Sequence, residues 1–203
     1  MIKQMVQRVL GFLLMALLIS TVNAETSPVP MLQKTAQEII DTLKVNQGHL
    51  KTDNRIINQA IQRYLLPHVD IEGMSRSVLG GQVWTKATAS EKQAFSHVFT
   101  ELIIRTYASP LAEYSGETVN FMPVRGEIDA HFLRVNSVIS RPNGQRIPLS
   151  YNLVSKSGDW KIYDLSVEGI SLLQSFKLQF ANILQQGTIK DLINQMRANK
   201  RAA

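Results

Sequence analysis

The sequence predicts an α+β protein, with a four-stranded antiparallel sheet packed against several helices. Two observations carry this. Apolar residues recur every three or four positions through the first half and again near the C-terminus. Between about residues 119 and 167 they instead alternate with polar ones. Short turn sequences, Pro142-Asn143-Gly144 and Ser157-Gly158-Asp159, separate the alternating runs, which points to a meander rather than parallel crossovers. The 203 residues suit one domain with a substantial core.

The elements follow in order. Pro28-Val29-Pro30 can open a helix that carries Leu32, Ala36, Ile39, Ile40 and Leu43 and stops at Asn46-Gln47-Gly48. A second helix spans about Asn54 to Leu66 and closes at Pro67. A short third one, Ile71 to Leu79, ends at Gly80-Gly81. Thr88 and Glu91 form a capping box. The long helix they start carries Phe95, Phe99, Leu102 and Ile103 to about Tyr107, and Pro110 should end or kink it. Four strands are expected, at Val119–Val124, Phe132–Ser140, Ile147–Leu153 and Trp160–Val167. Glu168-Gly169 then turns into a helix from Ile170 to Gln186, with Glu168 capping it by charge. A last helix runs from Thr188 to Asn199.

Residues 1–24 read as a cleaved secretory signal peptide: Lys3 and Arg8, an apolar run from Val9 to Ile19, then small residues ending at Ala24. The run of 11 residues is short for a spanning helix, which needs about 20. Residues 25–203 remain as a single domain. Losing Lys3 and Arg8 lowers the formal net charge from +6 to +4. An exported chain without cysteine suits a bacterial periplasm better than an animal secretory route, where disulfides are usual. The absence of cysteine also excludes thiol nucleophiles, cysteine zinc sites and a lipidated export signal. In a periplasm the basic charge would face lipid headgroups or an acidic protein, not nucleic acid.

Catalytic signatures are absent. There is no G-x-G-x-x-G, Walker A, S-x-x-K or G-x-S-x-G motif, and His49, His68, His97 and His131 make no i, i+4 metal pair. Glu127 and Asp129 lie two apart before a strand, and Asp164 alternates with Trp160 and Ile162, so it is expected to be partly buried. A cavity-type enzyme with Asp164 or Glu127 as base therefore stays open. The apolar stripes on the long helix, on the helix after the sheet, and at Met74, Val78 and Leu79 are the stronger feature. They form a closed core, or a cavity wall if the elements stand apart.

The ordered blocks Leu65-Leu66-Pro67-His68-Val69-Asp70, Val78-Leu79-Gly80, Trp84, Ala87-Thr88, Tyr114-Ser115-Gly116 and Pro123-Val124-Arg125-Gly126 resemble the MlaC family. So do Gly158-Asp159-Trp160-Lys161-Ile162-Tyr163-Asp164, Val167-Glu168-Gly169-Ile170-Ser171, Phe180-Ala181, and Gly187 followed by Leu192-Ile193. The resemblance spans nearly all of residues 25–203. It implies a periplasmic phospholipid-binding protein, an auxiliary component of an ABC transporter linked to toluene tolerance. Such a protein carries phospholipid between an outer-membrane lipoprotein–porin complex and an inner-membrane ABC transporter with an MCE-domain ring, and so maintains outer-membrane lipid asymmetry. Acyl tails would enter an apolar cavity between sheet and helices, with no catalysis, cofactor or metal. On that reading Met74, Val78, Leu79, Phe99, Ile103, Tyr107, Tyr151, Phe176 and Phe180 are the candidate lipid-binding residues. A cavity enzyme and an interaction module with closed stripes are the competing readings.

Overall fold

The computed structural model describes residues 27–124 and 131–202. The expected signal segment, residues 1–24, and the candidate base Glu127 lie outside the described residues.

Helix α1 (Val29–Val45) starts at the two prolines, as the fixed φ of proline favours. Helix α2 (Asn54–Ala60) is capped by Asp53, whose side chain accepts from the Arg55 amide. It runs on through a π turn, Ile61–Leu65, and a 3-10 turn, Leu66–His68, that contains Pro67. Asp70 caps α3 (Ile71–Leu79) by accepting from the Gly73 amide at 3.0 Å. A side chain on Gly73 would collide with that carboxylate, so the close approach requires glycine here. Gly80 takes φ 77°, which turns the chain into a short helix that the sequence did not reveal, α4 (Gly81–Lys86). The Thr88–Glu91 capping box forms and starts α5 (Ala89–Ala112). This helix continues past Tyr107 and through Pro110, which stands in its last turn.

The sheet has five antiparallel strands in the order β1-β2-β3-β4-β5, not four. They are β1 (Thr118–Phe121), β2 (Phe132–Ser140), β3 (Arg146–Lys156), β4 (Asp159–Val167) and β5 (Ile170–Ser171). Glu168 and Gly169 both adopt positive φ, 52° and 84°, the backbone a two-residue hairpin needs. The chain therefore doubles back, and Ile170 and Ser171 pair with Val167 and Ser166 before the helix begins. Ser171, not Glu168, caps α6 (Leu172–Gln186) by accepting from the Gln174 amide. The last helix is α7 (Ile189–Ala202).

The buried apolar residues form three clusters. The first joins α3, α5, α6 and α7 around Phe95, Phe99, Phe176 and Phe180. The second lies where Leu32 of α1 covers Leu133, Val135, Leu153, Trp160 and Ile162 on one face of the sheet. The third joins α1, α2 and α5 through Leu43, Ile57, Ile61 and Ile104. They do not merge.

Candidate functional site

A cavity of about 390 Å³ occupies the space among the three clusters. Each cluster contributes to its wall: Met74, Ile103 and Leu172 from the first, Ile162 and Tyr151 from the second, Leu43, Ile61 and Ile104 from the third. Ile39, Ile40, Leu65, Leu66 and Leu111 add further apolar surface. The volume lies within the ~300–1,000 Å³ of small-molecule sites, and an apolar wall with few polar groups suits hydrocarbon.

Strand register explains why one half of the sheet is closed and the other open. Leu133 pairs with Leu153, which pairs with Ile162, and α1 covers these residues through Leu32. Further along, Val119, Ile139, Ile147, Leu149, Tyr151, Leu165 and Val167 share the same face and line the cavity.

A β-bulge in β4 makes that lining apolar. Asn152 pairs with Asp164 and the next residue, Leu153, pairs with Ile162, so Tyr163 is the extra residue. Before it, Trp160 and Ile162 face inward; after it, Leu165 and Val167 do. Simple alternation, as read from the sequence, would have aimed Asp164 and Ser166 at the cavity. The bulge instead sets Asp164 beside Asn152 on the opposite side. There its Oδ2 accepts from the Ser171 hydroxyl at 2.8 Å and the Asn152 amide at 3.3 Å, and its Oδ1 accepts from the Leu173 amide at 3.1 Å. Asp164 is buried, as expected, but its oxygens tie β3 and β4 to the start of α6 and it is absent from the cavity wall.

Of the nine candidate lipid-binding residues, the structure sets Met74, Ile103, Tyr107 and Tyr151 in the wall. Val78, Leu79, Phe99, Phe176 and Phe180 belong to the adjoining helical cluster. Phe99 there stacks on Phe95, with centroids 5.4 Å apart, and meets Phe176 edge-on at 5.2 Å. Burial pushes the Tyr151 phenol up, against a weak opposing hydrogen bond from the Ser137 hydroxyl at 3.4 Å. Burial also raises the Tyr107 phenol, with the negative charge of Asp164 adding to it. Both tyrosines therefore stay neutral in the wall.

The charged wall residues among those described are Glu117 and Arg141. They stand where the cavity meets a polar groove of about 710 Å³ between α1 and β1, flanked by Lys34, Asp41 and Lys44. Glu117 accepts from the Ser115 amide at 2.7 Å and the Ser115 hydroxyl at 3.2 Å, and Arg141 Nε lies 3.4 Å from its Oε1. Burial alone would push the Glu117 carboxyl up. Donors from Ser115 and its own backbone, with the Arg141 charge, outweigh burial and hold it below the ordinary glutamate range. Sequence reading did not single out this pair. Strand parity was the available signal, because Arg141 continues the inward series Leu133, Val135, Ser137 and Ile139. Among the described residues, no three His, Asp or Glu side chains group as a metal site would need, and no helix is long and apolar enough to cross a membrane.

Comparison with known proteins gives concordant results. The family model described as MlaC protein matches residues 33–198. The intermembrane phospholipid transport system binding protein MlaC of Haemophilus influenzae is 31% identical over 192 residues, 93% of this chain and 89% of that protein. The toluene tolerance protein ttg2D of Pseudomonas putida is 31% identical over 180 residues, 89% of this chain and 83% of that protein. A phospholipid-binding protein from Ralstonia solanacearum, solved in complex with a phospholipid, superposes with a TM-score of 0.79 at 25% identity. The match covers 85% of this chain and 96% of that one.

Proposed function

The chain belongs to the MlaC family, and on that premise we propose that it is a phospholipid carrier of the periplasm, not an enzyme. Residues 1–24 direct export and are removed, and residues 25–203 form the lipid-binding domain. The carrier takes phospholipid from one transport complex and delivers it to another: an outer-membrane lipoprotein–porin complex on one side, an inner-membrane ABC transporter with an MCE-domain ring on the other. That exchange maintains outer-membrane lipid asymmetry. The observation that carries this reading is the cavity, lined almost wholly by apolar side chains, with Glu117 and Arg141 at the end where a polar groove adjoins it. The lipid complex of the Ralstonia relative supports it.

The energetics suit a shuttle. About thirty methylenes at ~0.8 kcal/mol each exceed the ~18–21 kcal/mol ceiling on non-covalent affinity, so transfer from water is the wrong reference. Tails move from a bilayer into the cavity, one apolar medium to another, at little net cost. The protein's task is to cover the tails while they cross water. The nine candidates divide the work on this reading: Met74, Ile103, Tyr107 and Tyr151 touch the tails, while Val78, Leu79, Phe99, Phe176 and Phe180 hold the helices that frame the cavity. Asp164 is absent from the cavity wall and its oxygens are taken up by Asn152, Ser171 and the Leu173 amide, and Glu127 lies outside the described residues, so no specific observation favours the enzymatic alternative.

Mass spectrometry of an organic extract of the purified protein is the test. Copurifying phospholipid near one molecule per chain is expected. A protein folded by circular dichroism that carries no lipid, and takes none from phospholipid vesicles, would overturn the reading.

A further inference from the structure

The wall of the cavity is apolar except near its junction with the polar groove, and there the cavity holds a guanidinium with an unused donor. Arg141 donates from one Nη to the Gln145 side chain at 2.9 Å. Its Nε is buried yet makes no hydrogen bond; it lies 3.4 Å from the Glu117 carboxylate, too poorly aligned to donate to it. A buried charged donor without a hydrogen bond is costly, and native proteins satisfy such groups. Glu117 is meanwhile occupied by two donors from Ser115 and stays ionised. It compensates the charge of Arg141 without satisfying its geometry. Nε is enclosed with Glu117 beside it, so an oxyanion arriving from the groove would displace the Glu117 carboxylate and then accept from Nε and the neighbouring Nη together, the fork a guanidinium offers to phosphate.

The geometry points to Arg141 as the residue that recognises the cargo's phosphate, with Glu117 as the counter-ion that holds the guanidinium in place when no phosphate is there. This deepens the carrier reading and rests on it. Tails fill the wall from Tyr107 to Leu149, and the phosphate sits at the junction of cavity and groove. The carrier thereby separates phospholipids from uncharged diacylglycerols of equal tail length. Glu117 keeps the preference moderate, because its charge opposes the arriving phosphate, and a moderate preference permits release.

The test offers the purified protein vesicles containing phosphatidylglycerol and diacylglycerol with identical tails in equal amounts, then measures both in the re-isolated protein by mass spectrometry. Wild type is expected to load phosphatidylglycerol preferentially. Arg141→Gln is expected to lower that ratio by about tenfold while still loading diacylglycerol, which shows that the cavity is intact. Glu117→Gln is expected to raise the ratio several-fold; this arm decides the matter if Arg141→Gln does not fold. Equal loading of the two lipids by wild type, or a ratio unmoved by these variants, overturns the assignment. Inorganic phosphate supplies the remaining arm. If millimolar phosphate raises the melting temperature of wild type but not of Arg141→Gln, and does so as strongly as phosphatidylglycerol, the site takes free phosphate and the lipid assignment falls. A wild type that loads neither lipid overturns the carrier reading together with this one.

Discussion

Ile103 and Phe99 sit one turn apart on α5 and do different things. Ile103 is partly buried and borders the cavity, whereas Phe99 is fully buried among Phe95, Phe176 and Phe180. A carboxylate at position 103 would stand in an apolar space with no partner, a cost of several kcal/mol that falls on the bound tails as much as on the fold. Ile103→Glu is therefore expected to lower copurifying lipid several-fold while the helical circular-dichroism signal persists; loss of that signal would mark Ile103 as core. Phe99→Ala should behave in the opposite way. It removes a ring from the helical cluster at about 3–5 kcal/mol, which for a chain of this size lowers the melting temperature by about 10 °C. Lipid per folded molecule should hold. Both residues were legible in the sequence as members of one apolar stripe. Which of them borders empty space was not, because the stripe has the same spacing either way and only the stand-off between helices and sheet separates them.

At the scale of the element, the helices were the most legible part of the fold. Their ends are written in local chemistry: the prolines that start α1, the Thr88–Glu91 box that starts α5, the glycine that stops α3. The departures lie where pairing with another segment decided the outcome. Strand β5 is two residues long and exists only because β4 offers it an edge. The bulge at Tyr163 depends on register with β3, and no feature of Trp160-Lys161-Ile162-Tyr163-Asp164 by itself announces it. Its consequence can be measured. Asp164→Ala would leave the buried Leu173 amide and two side-chain donors without their acceptor, at about 2–4 kcal/mol. The melting temperature is expected to fall, and Asp164→Asn, which keeps an acceptor oxygen, should recover about half of the loss. Lipid load in the folded fraction should stay near wild type, because Asp164 faces away from the cavity. A selective loss of lipid with unchanged stability would contradict the structural task given to it.

At the scale of the whole molecule, three apolar clusters linked by the partly buried Leu65 and Val69, with a void among them, distinguish this protein from an ordinary α+β core. Acid should weaken the assembly in a definite sense. Glu117, Glu91 and Asp191 all have folded-state pKa values below the ordinary ones, the last two through their capping hydrogen bonds with Thr88 and Thr188. A depressed carboxylate contributes stability above its unfolded pKa and loses it as pH falls through the folded value. The melting temperature is expected to be flat near neutrality and to drop below about pH 4. The Glu117→Gln variant should show a shallower acid limb; an identical limb would mean that the Glu117–Arg141 pair contributes nothing to stability. The sequence by itself determined the α+β class, most helix starts, the meander and, through its ordered blocks, the family. These depend on periodicity, capping and turn chemistry, all of which act over a few residues. The tertiary structure alone decided the fifth strand, the direction of Asp164, the division of the stripes into wall and core, and the meeting of Glu117 with Arg141. Each of these depends on contacts between segments far apart in the chain, and a hydrophobic pattern carries no information about whether the surface opposite it is close enough to exclude a guest.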